Sequence, residues 1–90
     1  MEALCSVYIL KSLISGNFYI GSSKDPVHRE YKHNTGNTKS TRNKGPWKLV
    51  FNQIFPNITI ARKMENKLKK MKNKNILSQI VKDGKIKAKL

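Results

Sequence analysis

Acidic residues are few in this sequence: five Asp and Glu stand against 19 Lys and Arg, a formal charge of +14 on 90 residues. Like charges repel in a compact domain, so this imbalance argues against an ordinary solvated surface and calls for a polyanionic partner. Cysteine is scarcer still. The single Cys5 excludes an intrachain disulfide, and its place in an apolar run suits a buried thiol. There is no Cys/His cluster, phosphate-cradling P-loop or Ser-His-Asp set, which removes zinc-site, nucleotide-triphosphatase and serine-hydrolase chemistry. No apolar run approaches the ~20 residues of a membrane span, and the basic stretches carry core residues of their own, so nucleic acid is favoured over a membrane as the polyanion. The opening "MEALCSVYIL" has Glu2 where a signal peptide carries positive charge, and Lys11 interrupts its apolar stretch; the expected location is the cytoplasm, including the nucleoid.

What is present suffices for one small domain. A chain this short buries only about 60% of its unfolded surface, and 38% hydrophobic residues in several short runs fit a thin two-layer core. The runs Cys5–Leu10 and Phe18–Ile20, separated by "KSLISGN", predict a β-hairpin. Its register is left open; Tyr8 and Tyr19 share a face only if they pair directly or two residues displaced. Asp25-Pro26 starts a helix, as N-cap and first helical residue, which ends near Asn34 with Gly36 as its stop. In it Val27 and Tyr31 stack on one side and Arg29 and His33 on the other, which sets the polar pair toward solvent. After the polar loop "TGNTKSTRNKG", "PWKLVFNQIF" reads as a third strand closed by Pro56. Asn57 or Thr59 caps a second helix with the apolar stripe Ile60, Ala61, Met64, Leu68 and Met71, and with Lys63, Lys67 and Lys70 on its wet side. A third helix runs from about Ile76 to Val81, until Asp83-Gly84 breaks it and leaves a basic tail expected to fray from about residue 84. The expected fold is therefore α+β, one domain over residues 1–90, with a small three-stranded antiparallel sheet flanked by helices in the order β-β-α-β-α-α.

With so few carboxylates, their placement is informative. Glu2 is terminal, Asp25 caps a helix, Glu30 adjoins Arg29, and Asp83 lies in a turn. Glu65 sits in mid-helix beside the apolar stripe, among cations, in "ARKMENKLKK". It either neutralises Arg62 or Lys69 at helical spacing or serves as a lone carboxylate for Mg²⁺, which keeps most of its waters and takes only one or two protein carboxylates. Tyr8, Tyr19, Arg29 and His33 are ordinary strand and helix residues when taken singly.

Taken together, "SVYIL", "FYIG", Arg29-x-x-x-His33 and the helical Glu65 resemble the GIY-YIG nuclease domain, in the small stand-alone branch similar to the N-terminal domain of UvrC. The resemblance covers nearly the whole chain, including "HNTG", "PWKLVF" and "ARKMENKLKK". It implies that Tyr8 and Tyr19 are the motif tyrosines, that Gly21 completes "YIG", that Arg29 and His33 are catalytic, and that Glu65 is both catalytic and the ligand of one Mg²⁺ or Mn²⁺. Two departures are visible: Ser6-Val7-Tyr8 replaces Gly-Ile-Tyr, and Ser22 stands where UvrC-like members have lysine. Asn73 and Asn75 are the candidates for the family's late asparagine.

The activity so implied is metal-dependent hydrolysis of phosphodiester bonds in DNA, structure-specific and serving repair or recombination, with RNA the less favoured partner. Either Tyr8 or Tyr19 acts as general base. A phenol of pKa about 10 is only about one part in a thousand ionised at pH 7, a deficit of roughly 4 kcal/mol, which nearby cations such as Arg29 and Lys24 and a bound metal reduce. Lys24, Lys32 and Lys69 are the expected phosphate contacts. The competing class is a non-catalytic nucleic-acid-binding module on the same fold; a third is a basic RNA- or ribosome-associated protein.

Overall fold

The computed structural model describes residues 3–35, 45–71 and 73–86. It contains β1 (Cys5–Ser12), β2 (Phe18–Ser23), α1 (Pro26–Asn34), β3 (Trp47–Phe55), α2 (Ile58–Met71) and α3 (Lys74–Asp83). The strands form one antiparallel sheet in the order β2-β1-β3. This is the α+β arrangement that the sequence pattern predicts.

Central β1 is covered on both sides, which is why Cys5 to Leu10 reads as an apolar run rather than an alternation. Cys5, Val7 and Ile9 face α2 and α3 and pack with Ile20, Phe51, Ala61, Met64, Leu68, Leu77 and Ile80. Tyr8 and Leu10 face the other way and pack with Trp47, Tyr19 and Leu49. The register left open by the sequence is Tyr8 opposite Gly21 and Leu10 opposite Tyr19. The two tyrosines are thus displaced by two residues and emerge on the same side, their ring centroids 6.4 Å apart.

Asp25 caps α1 by accepting the His28 N–H, with Pro26 in the first turn. The helix ends at Asn34; Gly36, expected as its stop, lies outside the described residues. The rotation of α1 corrects the sequence-based expectation. Val27 and Tyr31 are 66% and 64% exposed, whereas His33 is 2% exposed and Arg29 turns inward to the β1 tyrosine. Two polar side chains set that rotation from the β3 side. Glu30 Oε2 accepts the Leu49 N–H at 2.5 Å, beside the bulge where the pairing shifts from Ile9 with Phe51 to Leu10 with Leu49. Asn34 brackets Trp47, accepting its N–H at 2.6 Å and donating to its carbonyl at 2.9 Å. A helix held by such directional bonds orients its remaining residues irrespective of their hydrophobicity.

Of the two candidate caps for α2, Asn57 is used, accepting the Ile60 N–H at 2.9 Å. Lys63 and Lys70 are exposed and Lys67 is half-buried. Asn73 caps α3, which starts two residues earlier than the sequence pattern predicts, and Gly84 at φ 74° ends it. Chain beyond Gly84 does not fray at once: the Ile86 N–H donates to Gln53 Oε1 at 2.8 Å and its side chain packs on the α2 side of the core.

Candidate active site

The alternation of a strand sends neighbouring residues to opposite faces, and on the edge strand β2 this brings the two faces of the sheet to one rim. Tyr19 and Gly21 lie on the α1 face, and Ser22 lies on the α2 face. On the α1 face, the Tyr8 hydroxyl is 3.3 Å from His33 Nε2 and 3.5 Å from Arg29 Nε. Arg29 can only donate, so the Tyr8 oxygen accepts from it. Between Tyr8 and His33 Nε2 either group can donate, according to which imidazole nitrogen carries the proton. The Tyr19 ring stacks on His33 with centroids 4.6 Å apart and meets Trp47 edge-on at 6.4 Å.

Gly21 makes this arrangement possible. A Cβ there would lie 2.5 Å from the Tyr8 hydroxyl oxygen and 2.6 Å from the ring carbon bearing it. The ring therefore passes directly over the glycine on its way to the rim.

On the α2 face, Ser22 donates to Glu65 Oε1 at 2.6 Å, and the Lys69 ammonium binds Glu65 Oε2 at 2.6 Å. Lys69 also lies 5.9 Å above the Tyr19 ring, so it spans the rim from the carboxylate to the tyrosine. The structure thus gathers Tyr8, Tyr19, Arg29 and His33 into one contact network and links Glu65 to it through Ser22 and Lys69. Of the other two lysines, Lys32 is half-buried one helical turn after Arg29, and Lys24 is exposed beside a small hollow with Ala3, Asn57, Ile58 and Thr59. Asn73 is engaged in capping α3 through the N–H groups of Asn75 and Ile76.

Residues 4–78 match the GIY-YIG catalytic domain. The chain belongs to the GIY-YIG family. A UPF0213 protein of Aeromonas salmonicida (strain A449) is 35% identical over 65 residues, covering 71% of this chain and 47% of the relative, so the match spans about half of that relative's length. The solution NMR structure of a UPF0213 protein from Bacillus halodurans superimposes with a TM-score of 0.54 at 32% identity, covering 88% of this chain and 83% of that one. The chain is thus similar to small GIY-YIG proteins in sequence and in fold.

Within this GIY-YIG domain, the residues that the sequence reading misses are those that position the candidate site through another residue. Ser22 appears in the sequence as a departure from the family pattern, yet it fixes one oxygen of Glu65. Glu30 and Asn34 appear as helix surface, yet they set the rotation that turns Arg29 and His33 inward. The only advance signal is that both lie at i+1 of the inward pair.

Glu65 has a donor set suited to a single hydrated divalent ion. Its side chain is 15% exposed and already holds a cation, the ammonium of Lys69, whose own side chain is 47% exposed. Among the described residues there is no group of three or more His, Cys, Asp or Glu, so the site offers one hard carboxylate instead of a cage.

Burial pushes the Tyr8 phenol above its ordinary pKa, partly offset by the Arg29 hydrogen bond and charge. Burial, and then the nearby Arg29 charge, hold His33 below its ordinary 6.5. Burial thus favours the neutral imidazole in the folded protein. The sign for stability follows from linkage: as pH falls below 6.5, the unfolded chain takes up a proton that the folded chain resists. Stability contributed by neutral His33 is thus present above 6.5 and lost on acidification. Thermal denaturation should show a lower midpoint at pH 5.5 than at pH 7.5, with a smaller decline in His33→Gln. An equal decline in both proteins would show that His33 does not carry the effect.

Proposed function

We propose that this protein is a metal-dependent endonuclease that hydrolyses phosphodiester bonds in DNA. The observation that carries the reading is the Tyr8 hydroxyl held between the Arg29 guanidinium and neutral His33 at the same rim as Glu65. Hydrolysis needs a base for water, a stabiliser for the charge building on phosphorus, and relief of charge on the departing oxygen. Tyr8 passes its proton to His33 Nε2 and takes one from the attacking water; the water oxygen bonds to phosphorus as the bond to the leaving oxygen breaks, and that oxygen takes a proton from solvent. Arg29 donates to a non-bridging phosphate oxygen and lowers the cost of the phenolate. Tyr19 packs against His33 and fixes its ring. Glu65, oriented by Ser22, would hold one Mg²⁺ or Mn²⁺, which would supply positive charge to the phosphate and leaving oxygen. Lys24, Lys32 and Lys69 receive flanking phosphates.

Lysine contacts phosphates without reading base edges, so selectivity for DNA shape over base sequence belongs to the proposal. A role in repair or recombination, at the nucleoid in the cytoplasm, belongs to the same proposal. The test is incubation of supercoiled plasmid with Mg²⁺ or Mn²⁺. Nicked or linear product is expected, abolished by a chelator and lost in Glu65→Ala and Arg29→Ala. Cleavage that survives the chelator, or survives both substitutions unchanged, overturns the reading; binding without turnover leaves a non-catalytic module on this fold.

A further inference from the structure

The β1–β2 connection carries an arrangement that the site at the rim does not use. Lys11 and Lys48 are direct cross-strand partners at the hairpin end of the sheet. Like charges so placed are about 5 Å apart at Cβ and disfavour the pairing. The Lys74 ammonium adds a third positive charge, 3.6 Å from where a Cβ on Gly16 would lie. No ion pair ties these three lysines to a carboxylate among the described residues. Asp25 caps α1, Glu30 accepts from Leu49, Glu65 holds Ser22 and Lys69, and Asp83 accepts from Gln79. An open hollow of about 550 Å³ lies between Lys11, Lys48, Val50 and the turn at residues 12–16.

The turn itself is tied by hydrogen bonds and apolar at its tip. Buried Ser12 accepts the N–H groups of Ile14 and Ser15 through its hydroxyl, at 3.3 and 3.1 Å, and that of Gly16 through its carbonyl at 2.9 Å. The Leu13 N–H donates to the Pro46 carbonyl at 2.9 Å, and Gly16 takes the left-handed conformation at φ 76°. This frame presents Leu13 at 60% and Ile14 at 79% exposure. Folding gains nothing from two large aliphatic side chains held in water, and a preorganised tip loses little entropy on binding.

Resting on the nucleic-acid reading above, we infer that the hairpin end is a second DNA contact: Lys11, Lys48 and Lys74 take backbone phosphates of a duplex arm, and Leu13 and Ile14 pack as an apolar wedge against its minor groove. Charge complementarity selects the polyanion, and aliphatic side chains flanked by lysine are the groups that minor-groove binders insert at base steps. The geometry also sets a spacing. Ser12 lies four residues beyond Tyr8 on β1, about 13 Å at strand rise, and the tip lies roughly 20 Å away. At about 3.4 Å per base pair, the contact falls about four to six base pairs from the phosphate at the rim.

The test is equilibrium binding to fluorescent duplexes in chelator, so that cleavage plays no part. The variants Lys11→Ala/Lys48→Ala and Leu13→Ser/Ile14→Ser alter exposed residues, and thermal denaturation checks their folding. The lysine pair should lower the log–log salt slope of binding by about 1.8, two phosphates at about 0.9 each. The aliphatic pair should weaken binding about tenfold with the slope unchanged. A series of nicked duplexes with arms of two to ten base pairs on one side should gain affinity in the wild type as the arm passes about four to six base pairs. An unchanged slope in the first variant, unchanged affinity in the second, or no step with arm length overturns the inference. So does equal binding by wild type and both variants to DNA together with wedge-dependent binding to anionic phosphatidylserine vesicles. Hairpin-dependent binding by a wild type that cuts no plasmid would leave this inference standing and remove the nuclease reading.

Discussion

Tyr8→Phe is expected to slow plasmid cleavage by about 10²- to 10⁴-fold, the usual contribution of a positioned acid or base. The substitution removes one oxygen and keeps the ring that packs with Leu10 and Trp47. The fold should therefore persist, with a stability loss of about 1 kcal/mol for the hydrogen bonds to Arg29 and His33. Single-turnover cleavage at saturating protein separates this loss from weakened binding, and thermal denaturation supplies the stability. Tyr19→Phe is the informative companion. The Tyr19 ring contacts His33, Tyr8 and Trp47 through its faces and edges, and these survive loss of its hydroxyl, so its effect should be within about tenfold. If the two results were exchanged, with Tyr19→Phe inactive and Tyr8→Phe near wild type, Tyr19 would be the base and Tyr8 the support.

Gly21→Ala should be nearly as damaging to activity and more damaging to the fold. The new methyl group meets the Tyr8 hydroxyl at 2.5 Å and the ring at 2.6 Å, and Tyr8 is only 1% exposed, so the ring has little room to retreat. Overpacking of a close-packed site costs about 1–3 kcal/mol. Any rotation that relieves it moves the hydroxyl from between Arg29 and His33. The expected outcome is a lowered unfolding midpoint together with cleavage reduced at least as far as in Tyr8→Phe. The double variant Gly21→Ala/Tyr8→Phe tests the coupling: with the clashing oxygen gone, part of the stability should return and none of the activity. Full additivity of the two stability changes would show that the Tyr8 hydroxyl and the added methyl group do not interact.

Element order, sheet composition and helix caps were legible in the sequence because each depends on residues close in the chain. Asp25 and Pro26 start α1, Gly84 stops α3, and Asn57 is one of the two caps the sequence offers for α2, whereas the Asn73 cap of α3 was not read. Family membership was legible through ordered motifs whose spacing a family preserves. The orientation of Arg29 and His33 was not. Helical periodicity assigns the more apolar flank to the core, so Val27 and Tyr31 were expected inside and the polar pair outside, the reverse of what the structure has. A local rule fails where a functional site overrides it.

The sequence by itself determined the chemical inventory and the succession of elements: a surplus of positive charge, a lone mid-helix carboxylate, two strand tyrosines and the helix that carries an arginine and a histidine. Only the tertiary structure decided the hairpin register that puts both tyrosines on one face, the rotation of α1 imposed by Glu30 and Asn34, and the meeting of both sheet faces at the β2 rim through Ser22, Glu65 and Lys69. The physical reason is range. Caps and periodicity are set by residues within a turn of one another, whereas the rotation of α1 and the meeting at the rim are set by hydrogen bonds between partners 13 to 43 positions apart.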